Sequence, residues 1–330
     1  MKLDPVKQGK ISVYLQIFIE ATRKLGYNCE IIDPLRLIRI EANGKSFCIY
    51  KTRIPVNNSV SCIISKSKTM TAKFLRGAGL PAPKHELFED IEPARKYFEK
   101  NSSRRLVIKP DYGIGGDGVS LTTDSVEQFD QAFLEAKKFS LKVVIEDFVT
   151  GKNYRVLVLG GKVIGVALRL AAQVTGNGTD TIAALVEAEN STRQVRSSSK
   201  IDLGDEVNRF LAGQDKSLGT IPAAGEIVPL RTGTNLSTGG FTIDVTDQIN
   251  PETAATVIKA VKVIGLEYAG VDIITEDLAA PLTSANGIIN EINFNPGLRI
   301  HQYAKDRGER DVAAEIIKYI AENYEPYKFI

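Results

Sequence analysis

Two turn signals set between apolar runs constrain this chain more than any other feature. In LIRIEANGKSFCIYKT, Asn43-Gly44 separates two short apolar stretches, and in YRVLVLGGKVIGVALRL, Gly160-Gly161 does the same. Such dipeptides accept the positive φ of a two-residue hairpin, so the chain must contain β-ribbons. Further strands are expected at CEIID, RRLVIKP and LKVVIEDFV, and near 226–231, 241–246, 268–275 and 287–294. Helical spacing marks 11–26 (Ile11, Tyr14, Leu15, Phe18, Ile19, Leu25), 67–79, 125–139, 180–190, 251–265 and 309–323. Strands and helices so mixed give an α/β (α+β) fold class. The polar stretch 191–219, with Ser197-Ser198-Ser199 at its centre, reads as a mobile loop or lid. No internal repeat or low-complexity tract is visible.

Composition narrows the chemistry. A chain of 330 residues can hold two or three small domains. Its formal charge of +2 offers no reason to expect nucleic acid or an anionic membrane as partner. No apolar run approaches the roughly 20 residues that span a bilayer, and MKLDPVKQGK lacks the apolar core of a signal peptide. The three cysteines, Cys29, Cys48 and Cys62, have no metal-type spacing and suit a reducing, cytoplasmic setting. With only His85 and His301, a histidine-rich zinc site or a Ser-His-Asp triad is disfavoured. Any catalysis must come from lysine, arginine, carboxylates and backbone amides.

Three segments carry such groups. An apolar strand, Val107-Ile108, delivers Lys109 and stops at Pro110. Gly113, Gly115, Gly116 and Gly118 follow within six residues. Backbone amides in such a loop can cradle phosphate, although a flexible hairpin connection uses the same residues. The loop is not a P-loop, because no Gly-Lys-Ser/Thr opens a helix. In the strand around 287–294, Glu291 and Asn293 are two apart and share a face, with Ile292 turned to the core. Asp272 is a lone acid in the apolar strand Tyr268–Ile274. A buried acid needs a partner, and a magnesium ion would supply one to all three; backbone bonds at strand edges are the alternative.

The order and spacing of further stretches resemble the ATP-grasp ligases, in particular the ATP-grasp modules of cyanophycin synthetase and of bifunctional glutathione synthetase. They are Val174-Thr175-Gly176-Asn177-Gly178, Thr234-Asn235-Leu236-Ser237-Thr238-Gly239-Gly240, Asp244-Val245-Thr246-Asp247, Ala269-Gly270-Val271-Asp272 and Glu291-Ile292-Asn293-Phe294-Asn295-Pro296-Gly297. The likeness runs from about residue 35 to the C-terminus. It implies an ATP-grasp fold: a small N-terminal α/β domain (1–64), a lid subdomain with the glycine-rich loop (65–149) and a catalytic subdomain with the metal site (150–330). It also implies residue roles. Lys68 and Lys109 match the lysines that hold ATP phosphates, and the 111–118 loop would close over the β- and γ-phosphates. Glu146, Asp147, Phe148 and Val149 match the hinge that reads adenine, with Glu146 accepting from its amino group. Asn153 stands at the ribose position. Asp272, Glu291 and Asn293 match ligands of two Mg²⁺, for which Mn²⁺ can substitute. Arg299 matches an arginine near an acyl phosphate, with the Gly297 amide beside it as an oxyanion donor. Arg155, Arg169, Asn235, Ser237 and Asn295 are substrate candidates, and His301 is a substrate-lining or structural histidine rather than a base.

Three departures from the family pattern stand out. Asn153 replaces an acid, which should weaken or alter nucleotide affinity; Ser67 replaces an aspartate; and Arg193–Lys200 is a shortened version of the segment that contacts the amine. The resemblance implies an ATP-dependent carboxylate–amine ligase acting through an acyl phosphate on an amino acid or short peptide and an amine. It would be a homo-oligomer, dimer or tetramer, with no nucleic-acid or membrane partner. A kinase-type phosphotransferase and a catalytically weak ATP-binding regulator are the rival classes.

Overall fold

The computed structural model describes residues 12–34, 36–113, 117–121, 125–193, 199–304 and 310–325. The N-terminal segment begins with α1 (Val13–Lys24) and continues through β1 (Asn28–Ile32), β2 (Leu37–Ala42) and β3 (Lys45–Ile49) to α2 (Ser59–Lys66). The three strands form an antiparallel sheet in the order β1-β2-β3. Its β2–β3 hairpin turns where expected: Asn43 and Gly44 both have positive φ, at 52° and 73°. Next come α3 (Lys68–Gly77), β4 (Glu86–Phe88), α4 (Ile91–Lys100), β5 (Leu106–Pro110), β6 (Ser120–Leu121), α5 (Val126–Lys137) and β7 (Val143–Asp147). These strands make a sheet in the order β4-β7-β5-β6, covered by α4 and α5 through Phe98, Phe129 and Phe133.

The C-terminal part carries the largest sheet, β12-β9-β8-β13-β14. It comprises β8 (Lys152–Leu159), β9 (Lys162–Leu170), β10 (Gln173–Thr175), α6 (Ile182–Thr192), α7 (Asp205–Ala212) and β11 (Ile227–Pro229). There follow β12 (Phe241–Asp244), α8 (Pro251–Ile264), β13 (Tyr268–Thr275), β14 (Gly287–Asn293), α9 (Arg299–Gln302) and α10 (Val312–Asn323). One face of the sheet packs on α8 through Val156, Val158, Ala269, Val271 and Ile273. Its opposite face is shared: at one end Leu157, Leu159 and Tyr268 join the core formed by α1, β2, β3 and α10. The other end carries polar side chains. The helix α3 lies against α8 and β14, and Leu75 sits in their core.

The stretch 191–219, expected to be a mobile loop or lid, is partly helical among its described residues. It holds α7, whose Val207 and Leu211 are fully buried with Ile201, Ile182, Val186 and Val228. Only a few apolar residues are needed to seat a short helix, and they are diluted among polar neighbours in the sequence. Positions 194–198, within the shortened Arg193–Lys200 segment, lie outside the described residues, as do Gly115 and Gly116.

Candidate active site

Strand register assembles the polar end of the large sheet. Asp272 is directly opposite Glu291 on β14 and directly opposite Arg155 on β8. Gly270 is opposite Asn293, and Asn153 is opposite Arg169. Directly paired residues point to the same face, so Arg155, Asp272, Glu291 and Asn293 project together. The Asp272 carboxylate, for which a metal was the expected partner, already has a protein partner. Arg155 grips it with both Nε and Nη2, the latter at 2.8 Å, and Arg169 Nη1 stands 3.7 Å away. Burial works against the Arg155 charge, but Asp272 beside it outweighs that and holds its pKa up. For Arg169, burial prevails and the pKa falls. Arg169 also donates to Asn235 Oδ1 at 2.8 Å, while Ser237 is exposed on the following turn.

The three expected ligands fit a hard divalent cation. They offer two carboxylates and an amide oxygen from facing positions, and a carboxylate that accepts a bidentate arginine retains lone pairs for a metal. Asn293 Nδ2 is buried with no hydrogen-bond partner among the described residues, which leaves the amide to be oriented by what its oxygen binds. No group of three or more His, Cys, Asp or Glu side chains placed to hold a metal ion occurs among the described residues. The set therefore relies on Asn293 and on phosphate or water oxygens for completion.

Lys68 joins this face to the glycine-rich loop. As the first residue of α3, it holds Nζ 3.9 Å from Glu291 Oε1 and 3.4 Å from the carbonyl oxygen of Gly113. Ser67, the departure noted above, caps α3 by accepting from Met70 N at 3.2 Å and donates its hydroxyl to Asp111. Asp111 accepts from the Thr69 amide at 2.9 Å and the Thr69 hydroxyl at 2.8 Å. A carboxylate thus sits at the helix N-terminus after all, supplied from just beyond the strand that carries Lys109. Sequence reading passed over Asp111 as a loop residue. Gly118 has φ +69°, and a side chain there would strike Phe139 at 2.8 Å, so it serves packing against the end of α5.

Lys109 is buried at 4% exposure and donates to Glu146 Oε1 at 2.6 Å. His85 Nε2 lies 2.5 Å from the other oxygen. Burial pushes the Glu146 carboxyl up, but Lys109 and His85 more than offset it and hold the pKa below the usual range. The Glu146 side chain, expected to accept from adenine, here accepts from Lys109 at Oε1 and has His85 Nε2 beside Oε2 without a formed hydrogen bond. In the hinge, Asp147 pairs with Arg104 on the surface, and the Phe148 amide donates to Arg105 O at 2.8 Å beneath the Arg105 guanidinium. Val149 is half-buried.

The turn 294–297 is held from the N-terminal segment. Thr52 donates to Asn295 O at 3.0 Å, Asn57 Nδ2 donates to Phe294 O and Tyr268 O, and Tyr14 packs over Gly297, where a Cβ would stand 3.0 Å from its hydroxyl. Arg299 opens α9 and is half-buried. His301 is not on the open face: it is 2% exposed, packed over Gly165, with its pKa pushed down to about 3 by burial and by Arg155. Thr52 and Asn57 carry no motif, so only their packing reveals them.

A family model described as an ATP-grasp domain matches residues 65–294. Cyanophycin synthetase of Trichormus variabilis is 34% identical over 261 residues, covering 78% of this chain and 29% of that protein. The glutathione biosynthesis bifunctional protein GshAB of Clostridium perfringens is 33% identical over 312 residues, covering 92% of this chain and 40% of that protein. The crystal structure of a bifunctional glutathione synthetase from Pasteurella multocida superposes with a TM-score of 0.73 at 28% identity, over 94% of this chain and 44% of that one. The chain thus spans less than half the length of these relatives.

Proposed function

The chain belongs to the ATP-grasp family, and we propose that it is an ATP-dependent carboxylate–amine ligase working through an acyl phosphate. The observation that carries this reading is Lys68, whose Nζ bridges the Gly113 carbonyl of the glycine-rich loop and Glu291 of the metal-type face. One side chain spans the gap between phosphate cradle and metal ligands, and a triphosphate belongs between such walls. In this reading the β4-β7-β5-β6 sheet is the lid subdomain and the large sheet is the catalytic one.

The residues divide the work by charge. Lys68 and Lys109 bind the phosphates of ATP. Asp272, Glu291 and Asn293 hold Mg²⁺, as two ions or with Mn²⁺ in its place, and the metal supplies charge neutralisation during phosphoryl transfer. Arg155 orients Asp272 and is thereby a positioning residue rather than the substrate contact expected of it. Arg169 and Asn235 remain as contacts for a substrate carboxylate. Transfer of the γ-phosphoryl group to the acid forms a mixed anhydride and ADP; the amine then attacks the carbonyl carbon, and phosphate leaves. Arg299 and the Gly297 amide stabilise the tetrahedral oxyanion. His301, buried and hard to protonate, shapes the base of the site.

The substrates are small molecules, an amino acid or short peptide as acid plus an amine. The protein works in the cytoplasm as a dimer or tetramer. Among the described residues no helix is long and apolar enough to cross a membrane. The test is phosphate release with ATP and Mg²⁺ over pairs of amino acids, with mass spectrometry on the hits. Release that requires both an acid and an amine supports the ligase. A stable phosphorylated product formed without an amine would replace it with a kinase.

A further inference from the structure

One buried ionisable side chain has no part in the reaction above. His85 lies at the end of the Pro81-Ala82-Pro83-Lys84 run, immediately before β4. Glu86 pairs with Ile145 of β7, which brings His85 alongside Glu146. Its side chain is 1% exposed, and Nε2 stands 2.5 Å from Glu146 Oε2. The ring makes no well-aligned hydrogen bond, and Nδ1 has no partner among the described residues. The imidazole is therefore held by packing and by the charge of Glu146.

Two consequences follow for the neighbours. Glu146 Oε1 accepts from Lys109 and Oε2 faces His85, so the carboxylate cannot swing toward a nucleotide base without abandoning a buried cation. Lys109 in turn commits one of its three N–H groups to Oε1, and that bond sets the direction of the other two. We propose that His85 is a positioning residue: it locks Glu146 against Lys109, aims the Lys109 ammonium at the nucleotide phosphates, and withdraws the Glu146 side chain from base recognition. This rests on the ATP-binding reading of the site.

The test is calorimetric titration of the whole chain with the non-hydrolysable analogue AMP-PNP plus Mg²⁺ and, separately, with adenosine. His85→Ala should weaken AMP-PNP about tenfold, the scale of one charge-assisted Lys109–phosphate hydrogen bond lost when Lys109 is no longer aimed, and change adenosine affinity by less than about twofold. His85→Gln, whose amide N–H can reach Oε2, should restore AMP-PNP binding; His85→Asn, with a shorter reach, should not. That Gln/Asn contrast carries the test if the alanine variant does not fold. Equal losses for both ligands, no loss at all, or indistinguishable Gln and Asn variants would overturn the role of His85. A wild-type chain that binds no AMP-PNP would instead overturn the nucleotide reading itself, and this inference with it.

Discussion

Replacing Asp272 and Glu291 separately by alanine should divide stability from turnover, although both belong to the same metal-type set. Asp272 and Arg155 are each only 12% exposed at the side chain, and the contact is bidentate. Truncating Asp272 leaves a buried guanidinium with only the more distant Glu291 as counter-charge, a loss of about 3–5 kcal/mol. Glu291 is 28% exposed and has Lys68 at 3.9 Å, so its removal should cost no more than about 1 kcal/mol. Both variants should lose ATP turnover. Guanidinium melts followed by far-UV circular dichroism measure the first effect, and phosphate release the second. The double variant Asp272→Ala/Arg155→Met, which removes the stranded charge and keeps the side-chain volume, should recover most of the stability and none of the activity. If Asp272→Ala melts with the wild-type protein, or the double variant melts below the single one, the buried pair is not what holds this part of the sheet.

Gly270→Ala tests the same region sterically. A Cβ there would meet Pro296 Cβ at 2.6 Å and Arg155 Cδ at 3.0 Å. The expected cost is about 1–3 kcal/mol of stability, with lowered turnover because Arg155 must move off Asp272; a variant with wild-type melting and turnover would contradict the packing described. Acid should also weaken the fold in two stages. The His301 pKa falls to about 3 from an ordinary 6.5, so the unfolded chain binds a proton that the native state refuses, and stability declines as soon as pH drops below 6.5. By pH 5 the loss should be about 2 kcal/mol. Glu146, Asp244 and Asp311 are all held below their ordinary values, so their contributions are intact above about pH 4.5 and vanish as pH falls through the folded pKa values. Glu315, pushed up by burial, opposes this weakly. Chemical unfolding between pH 7 and 3 measures both stages. His301→Asn should abolish the first, and a flat wild-type profile from pH 7 to 5 would refute it.

Much of this molecule is local physics and was legible as such. Turn dipeptides with positive φ dictate the β2–β3 and β8–β9 hairpins, and period-two alternation dictates that Glu291 and Asn293 share a face opposite Ile292. The helices α1, α3, α5 and α8 end where glycine, proline or polar residues end their periodicity. Shorter elements, such as α2 and β4, lack enough repeats for their periodicity to emerge.

What joins these pieces is pairing between distant strands, and pairing leaves no mark on one segment read alone. Nothing near Asp272 announces that Arg155, 117 residues earlier, will lie directly across from it. Nor does anything near Glu146 announce that β4 and β5 will bring His85 and Lys109 to its two oxygens, or near Ser67 that Asp111 will supply a carboxylate to α3. The sequence alone determined which residues could bear charge into a buried strand. Tertiary structure decided which charges neutralise one another, because a buried ion takes whichever partner the register sets within reach.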